Sequence, residues 1–83
     1  MKDAIIEKME KYLQEVVLNQ PNRVIDPDEP ILSSGLIDSF SLVDVALYVE
    51  ENFKVVIDNT DLNANAFDTL NQLADLIIER QTI

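Results

Sequence analysis

Three stretches of this chain carry apolar residues at spacings of three and four, a pattern that only a helix turns onto one face. Ile5, Ile6, Met9, Tyr12, Leu13, Val16 and Val17 make the first and predict a helix over residues 3–18. Phe40, Leu42, Val43, Val45, Ala46, Leu47, Val49 and Phe53 make the second, from Ser39 to Phe53. They cover more than one face, with Phe40, Val43 and Leu47 on one line and Ala46, Val49 and Phe53 on another, so the surplus stripe is a candidate partner surface. Leu70, Leu73, Ala74, Ile77 and Ile78 make the third, ending near Arg80, with Thr69 and Gln72 at the spacing of a capping box. Asp61 to Ala66 are expected to form one further helical turn. Val55, Val56 and Ile57 are strand-like by propensity, but a lone short run cannot build a sheet and reads as an extended, buried connection. The fold class expected is all-α: a small bundle of three longer helices plus one short helix, packed at shallow angles, with a long loop between helices 1 and 2.

That loop, residues 19–38, holds all three prolines and the single glycine. Val24, Ile25, Ile31, Leu32, Leu36 and Ile37 are spaced along it and predict that it is ordered and pinned to the core. Gly35 is the position where a backbone turn resisted by other residues is expected. On the outer side of the first helix, Glu7 and Lys11 stand four apart and are placed to pair weakly.

Composition narrows the chemistry. The chain has no histidine and no cysteine, which removes imidazole bases, disulfides, thiolate metal sites and the common zinc sets. No apolar run approaches the ~20 residues that cross a bilayer, and the first nine residues lack the apolar core of a secretory signal. The expectation is one domain, residues 1–83, monomeric and cytoplasmic, without stable membrane insertion. The net charge is −10, and it is unevenly spread. Residues 1–23 balance Asp3, Glu7, Glu10 and Glu15 against Lys2, Lys8, Lys11 and Arg23, whereas residues 24–79 hold twelve acids against Lys54 alone. Nucleic acid phosphates would be repelled; the natural complement is a basic protein surface, and the alternative is that the acids only confer solubility. The acids Asp58 and Asp61, with Asn59, Thr60 and Asn63, lack the glycine and the terminal glutamate of an EF-hand loop, so specific calcium binding is not expected there.

Ser39 follows Gly35, Leu36, Ile37 and Asp38 and opens the second helix. Taken alone, it is a helix cap, as Asp38 is. A hydrolytic role lacks a base: no triad can be assembled without histidine, and Lys54 is the nearest basic residue that follows. A hydroxyl at a helix start after a tight turn is well placed to be modified and poorly placed to catalyse, so an enzyme is not expected.

The run Gly35, Leu36, Ile37, Asp38, Ser39, Phe40, then Val43, Ala46, Glu50, Glu51 and Phe53, resembles the acyl carrier protein family, whose signature is Asp-Ser-Leu at the start of the second helix. The resemblance extends through Ile57, Asp61 and the helix start at Thr69. It implies that Ser39, beside Asp38, receives 4'-phosphopantetheine from coenzyme A through a separate, magnesium-dependent phosphopantetheinyl transferase. The terminal thiol of that arm then carries an acyl or aminoacyl group as a thioester. The missing cysteine suits this logic, because the reactive sulfur is the cofactor's. The other implied partners are an acyl- or aminoacyl-loading ligase and acyl-transferring enzymes with basic docking surfaces. They would meet Phe40, Val43 and Leu47, flanked by Asp38, Asp44, Glu50 and Glu51.

Three positions depart from the family pattern. Phe40 stands where leucine is usual and Asp58 where proline is frequent. Lys54 stands where many relatives have glycine; a left-handed lysine there costs roughly 1 kcal/mol, so a differently built helix end is expected. Gly35, Leu36 and Ile37 resemble the lead-in of D-alanyl carrier proteins and other discrete, specialised carriers. Fatty acyl, D-alanyl, other aminoacyl and polyketide cargo remain open at this point. The alternative function is an unmodified acidic helical docking module.

Overall fold

The computed structural model describes residues 2–81, with the backbone alone of Ser39 and Asn59. Helix α1 spans Lys2–Tyr12 and continues as a π-helical turn over Leu13–Val17. Helix α2 spans Ser39–Phe53 and helix α3 spans Leu70–Gln81. Among the described residues there is no strand, so the all-helical class stands, and no helix is long and apolar enough to cross a membrane.

The expected fourth helical turn is corrected. Residues 62–66 form turns, and the only other helical piece among the described residues is a 3-10 turn at Asn59–Asp61. The reason lies in Asn63, whose side-chain oxygen accepts the amides of Asn65 at 2.9 Å and Ala66 at 3.1 Å. A side chain that captures the following amides diverts them from a helical ladder.

The core is a single cluster. Ile5, Ile6, Met9 and Leu13 meet Leu70, Leu73, Ala74 and Ile77, and Leu42, Val45 and Val49 close it from α2. Each of these side chains larger than alanine contributes roughly 1.5–3 kcal/mol on burial. Phe67, 1% exposed, fills the space before α3, and Val55 and Ile57 are buried as the extended connection requires. Helix α3 makes its broadest contact with α1.

Three apolar residues expected inside lie outside: Val16, Val24 and Val56, the last 62% exposed because an extended backbone turns it away from the face that buries Val55 and Ile57. Val16 is 63% exposed because the π turn inserts an extra residue per turn and carries it off the buried stripe, leaving Val17 half-buried instead. The turn closes through Leu18 N–H to Leu13 C=O at 2.8 Å and ends on a left-handed Asn19. Val24 is 79% exposed, whereas Ile25, Ile31 and Ile37 do pin the long loop. Among the described residues Glu7 and Lys11 do not pair, whereas Lys2 pairs with Asp75, Arg23 with Glu29 and Arg80 with Asp61.

The loop is stitched to α1 and to the start of α3. Glu10 accepts the Ile25 amide at 2.9 Å, and Gln14 donates to the Arg23 carbonyl. Asn71 donates its amide N–H to the Pro27 carbonyl at 3.0 Å and its side-chain amide to Asp28. Ile31 donates to the Asp68 carbonyl at 2.7 Å.

Candidate functional site at the start of α2

Ser39 is the first residue of α2. Three local devices put the helix start there. Gly35 takes φ +80°, a left-handed backbone that a side chain disfavours, although an added Cβ would meet nothing within 4 Å. Ile37 N–H then returns to the Ile31 carbonyl at 2.9 Å and closes the loop. Asp38, extended at φ −88° and ψ 170°, caps the helix by accepting the Ser41 amide at 2.9 Å. Of the two cap candidates in the sequence, Asp38 therefore holds the N-cap and Ser39 lies inside the helix.

The cap has a chemical consequence. The Ser41 amide, then the Ser41 side chain and the Phe40 amide, hold the Asp38 carboxyl below the usual carboxylate range. A carboxylate stabilised in this way is an even weaker proton acceptor than an ordinary aspartate near neutral pH. Asp38 is therefore poorly suited to act as the base for a neighbouring hydroxyl.

Successive residues of α2 are about 100° apart. Phe40, Val43 and Leu47 consequently share one face, and they are 86%, 54% and 50% exposed. Asp44 and Glu51 border this stripe on one side and Glu50 on the other, all three exposed. The opposite face holds the buried Leu42, Val45 and Val49. Of the two apolar lines read from the sequence, Phe40, Val43 and Leu47 lie on the surface, whereas Ala46, Val49 and Phe53 turn inward, with Val49 buried and Ala46 and Phe53 partly buried against the core.

The acidic run after α2 is used internally. Asp61 is paired with Arg80 at 2.8 Å, and Asn63 closes its own turn. Among the described residues, no three carboxylates, cysteines or histidines converge as a metal set. An open cleft of about 350 Å³ lies between α1 and α2, lined by Lys8, Lys11, Tyr12, Glu15, Val16 and Tyr48, and none of residues 38–40 borders it.

Sequence reasoning missed Asp68. It precedes the cap of α3, where an acid is ordinarily read as a partner of the helix dipole. Its carboxylate instead reaches back to the long loop. Oδ1 accepts the amides of Leu32 at 2.8 Å and Ser33 at 2.9 Å, and Oδ2 accepts the Ser33 hydroxyl at 2.5 Å. The Ser33 hydroxyl and amide, then the backbone amides of Leu32 and Ile31, hold its carboxyl below the usual range. The capping box at Thr69 is half formed. Thr69 accepts the Gln72 amide at 3.1 Å, but the Gln72 side chain accepts from the Asp68 amide at 2.6 Å.

Comparison with known proteins agrees with this geometry. A family model described as "Phosphopantetheine attachment site" matches residues 7–77. The D-alanyl carrier protein of Bacillus subtilis (strain 168) is 23% identical over 78 residues, covering 94% of both chains. The D-alanyl carrier protein of Bacillus licheniformis is 33% identical over 48 residues, covering 58% of this chain and 62% of that relative. No solved structure matches.

Proposed function

We propose Ser39 as the attachment point from a fixed premise: this chain belongs to the phosphopantetheine attachment site family. It is a carrier protein that bears 4'-phosphopantetheine covalently and holds an acyl or aminoacyl group for delivery to partner enzymes. The observation that supports Ser39 is its place as the first residue of a capped helix, between an exposed Asp38 and an exposed Phe40. A phosphodiester there is favoured by the positive end of the helix dipole, against the charge of Asp38 beside it. Neither neighbour supplies a nucleophile or a base, so the residues present fit a group that brings its own reactivity.

In the proposed modification the Ser39 hydroxyl forms a bond to the pantetheine-side phosphorus of coenzyme A. The pyrophosphate P–O bond breaks, and adenosine 3',5'-bisphosphate leaves with the electron pair. The hydroxyl proton passes to a base on the transferase, because Asp38 is held as a carboxylate of low basicity. The arm, once bound, supplies a terminal thiol for thioester formation.

The cargo reading follows the relatives. Both named carriers hold D-alanine by their printed names, which favours a D-alanyl or other aminoacyl cargo over fatty acyl or polyketide units. The partners are then a phosphopantetheinyl transferase, an aminoacyl-loading ligase and an accepting enzyme. Phe40, Val43 and Leu47 provide the contact area, and Asp44, Glu50 and Glu51 steer basic surfaces toward it. The chain acts as one cytoplasmic carrier domain and is not itself an enzyme. The test is intact mass spectrometry after incubation with coenzyme A and a broad-specificity transferase. One phosphopantetheine is expected on the native chain and none on Ser39→Ala; an arm retained by Ser39→Ala overturns the assignment.

A further inference from the structure

The last part of the loop, from Ile31 to Ile37 just before Ser39, is closed on itself and tied to the start of α3. Ile31 is the anchor. Its carbonyl accepts the Ile37 amide at 2.9 Å, and its own amide donates to the Asp68 carbonyl at 2.7 Å. The next two residues, Leu32 and Ser33, are held by the Asp68 carboxylate through three further hydrogen bonds of 2.5–2.9 Å. Within the closed segment, Gly35 N–H returns to the Leu32 carbonyl at 3.1 Å and Ser34 Oγ donates to the Pro30 carbonyl at 2.6 Å. Asp68 is fixed in turn by its own amide, bonded to Gln72 on α3. A continuous path of hydrogen bonds thus runs from α3 through Asp68 and Ile31 to Ile37, two residues before Ser39.

We infer that Asp68 is a positioning residue for modification at position 39, holding the 31–37 loop so that the start of α2 is presented to the transferase in one orientation. The inference rests on the reading of Ser39 as the attachment point. Ile31 and Ile37 are buried at 1% and 4% exposure and keep the loop near the core without Asp68. What the carboxylate adds is a fixed approach of Leu32 and Ser33, two backbone amides that no other side chain is seen to bind. Loss of the clamp lowers the fraction of molecules in the orientation that docks. A fall in the competent fraction weakens apparent affinity by the same factor and leaves the chemical step alone.

The experiment is phosphopantetheine transfer from coenzyme A by a broad-specificity transferase, with KM for the carrier and kcat measured separately. Amide hydrogen exchange is followed in parallel on the unmodified proteins. Asp68→Ala is expected to raise KM about tenfold, with kcat within about twofold of native. Exchange at Leu32, Ser33 and Ile37 should speed up, with α1 and α3 unchanged. Asp68→Asn keeps an oxygen for the Leu32 and Ser33 amides and should recover most of the loss. Ile5→Val, a mild core truncation far along the chain, should leave KM unaltered. Should Asp68→Ala not fold, Ser33→Ala takes its place, with a KM rise of about two- to threefold expected. An unchanged KM in a folded Asp68→Ala, or in Ser33→Ala where that stands in, overturns the inference. So does an equal rise in Ile5→Val, or a loss in kcat alone. If the native chain takes no arm, the Ser39 reading falls, and unchanged exchange at Ile37 in Asp68→Ala then overturns the clamp as well.

Discussion

The rings of Tyr12 and Tyr48 stack with centroids 3.9 Å apart and planes 24° from parallel, joining the end of α1 to the middle of α2. Burial first, then the charges of Asp44, the second tyrosine and Glu51, push the Tyr12 phenol up. Burial and Glu15 do the same for Tyr48. Both phenols should titrate above the usual value of about 10 for tyrosine. The sign for stability follows: the contribution is whole below about pH 10 and is lost as pH rises through the elevated folded values. Ultraviolet phenolate titration should show both tyrosines ionising late, with Asp44→Asn advancing Tyr12. A normal midpoint for both would remove the pair from the account. A double-mutant cycle on Tyr12→Leu and Tyr48→Leu should give a coupling of about 0.5–1.5 kcal/mol.

Two left-handed residues should respond in opposite directions. Lys54 ends α2 at φ 59° and ψ 36°, donating its amide to the Glu50 carbonyl at 3.1 Å. The left-handed end occurs despite the lysine, so the differently built end expected from the sequence is not found and the backbone cost is carried. Lys54→Gly should stabilise the fold by roughly 1 kcal/mol. Gly35→Ala should destabilise it by about 1 kcal/mol through backbone preference alone, since the new Cβ meets nothing. Urea denaturation of the two variants checks both signs.

Acid should weaken the loop before the core. The Asp38 and Asp68 carboxyls both lie below their ordinary value in the folded chain. A depressed carboxyl contributes stability that is present above its unfolded pKa of about 3.9 and lost as pH falls through the lower folded value. Native stability should therefore fall below about pH 4. Asp68→Asn should be less stable than native at neutral pH and lose less on acidification. Parallel pH profiles for native and Asp68→Asn would contradict this assignment.

The acid at 68 also marks the limit of what the sequence discloses. The three helices, the bounds of α2 and the turn at Gly35 follow from periodicity and local chemistry, and local signals lie within a few residues of what they control. Ile25, Ile31 and Ile37 were legible as loop anchors because apolar residues in a polar loop need the core. Asp68 was not, because its partners are Leu32 and Ser33, more than thirty residues away, and nothing near it in sequence differs from a dipole-facing acid. The π turn was illegible for another reason. A one-residue insertion keeps the apolar pattern readable while rotating Val16 out of it. The lost fourth helix turned on Asn63, which has a side chain that competes for helical amides and carries no pattern signal.

Charge should make the fold salt-sensitive. With a net charge of −10 and twelve acids across residues 24–79, like charges crowd one small surface. The ion pairs Lys2–Asp75, Arg23–Glu29 and Arg80–Asp61 are all partly exposed, and each is worth at most about 1 kcal/mol before screening. Added sodium chloride weakens these pairs and the general repulsion together, and repulsion has far more members. The melting temperature should rise with salt, and rise further with magnesium, which binds the native acids by mass action. A flat or falling melting temperature would refute the claim that repulsion dominates.

The two faces of α2 should separate stability from recognition. Phe40, Val43 and Leu47 are half or more exposed, so truncating them to alanine should change stability by no more than about 0.5 kcal/mol. Leu42→Ala, on the buried face, should cost about 2–5 kcal/mol. Phosphopantetheinyl transfer inverts the order. Phe40→Ala and Leu47→Ala should raise KM for the carrier at least severalfold, because an exposed aromatic next to the proposed attachment residue is the natural anchor of a transient interface. Asp44→Asn and Glu51→Gln should slow association most at low salt and converge on native behaviour at high salt, where steering is screened. Phe40→Leu restores the residue usual in the family and keeps an apolar side chain there. A broad-specificity transferase should accept it as well as native or better, while a loading ligase adapted to the ring should discriminate against it. If Phe40→Ala is modified and loaded at native rates, the stripe is surface without function, and docking must be sought on another face.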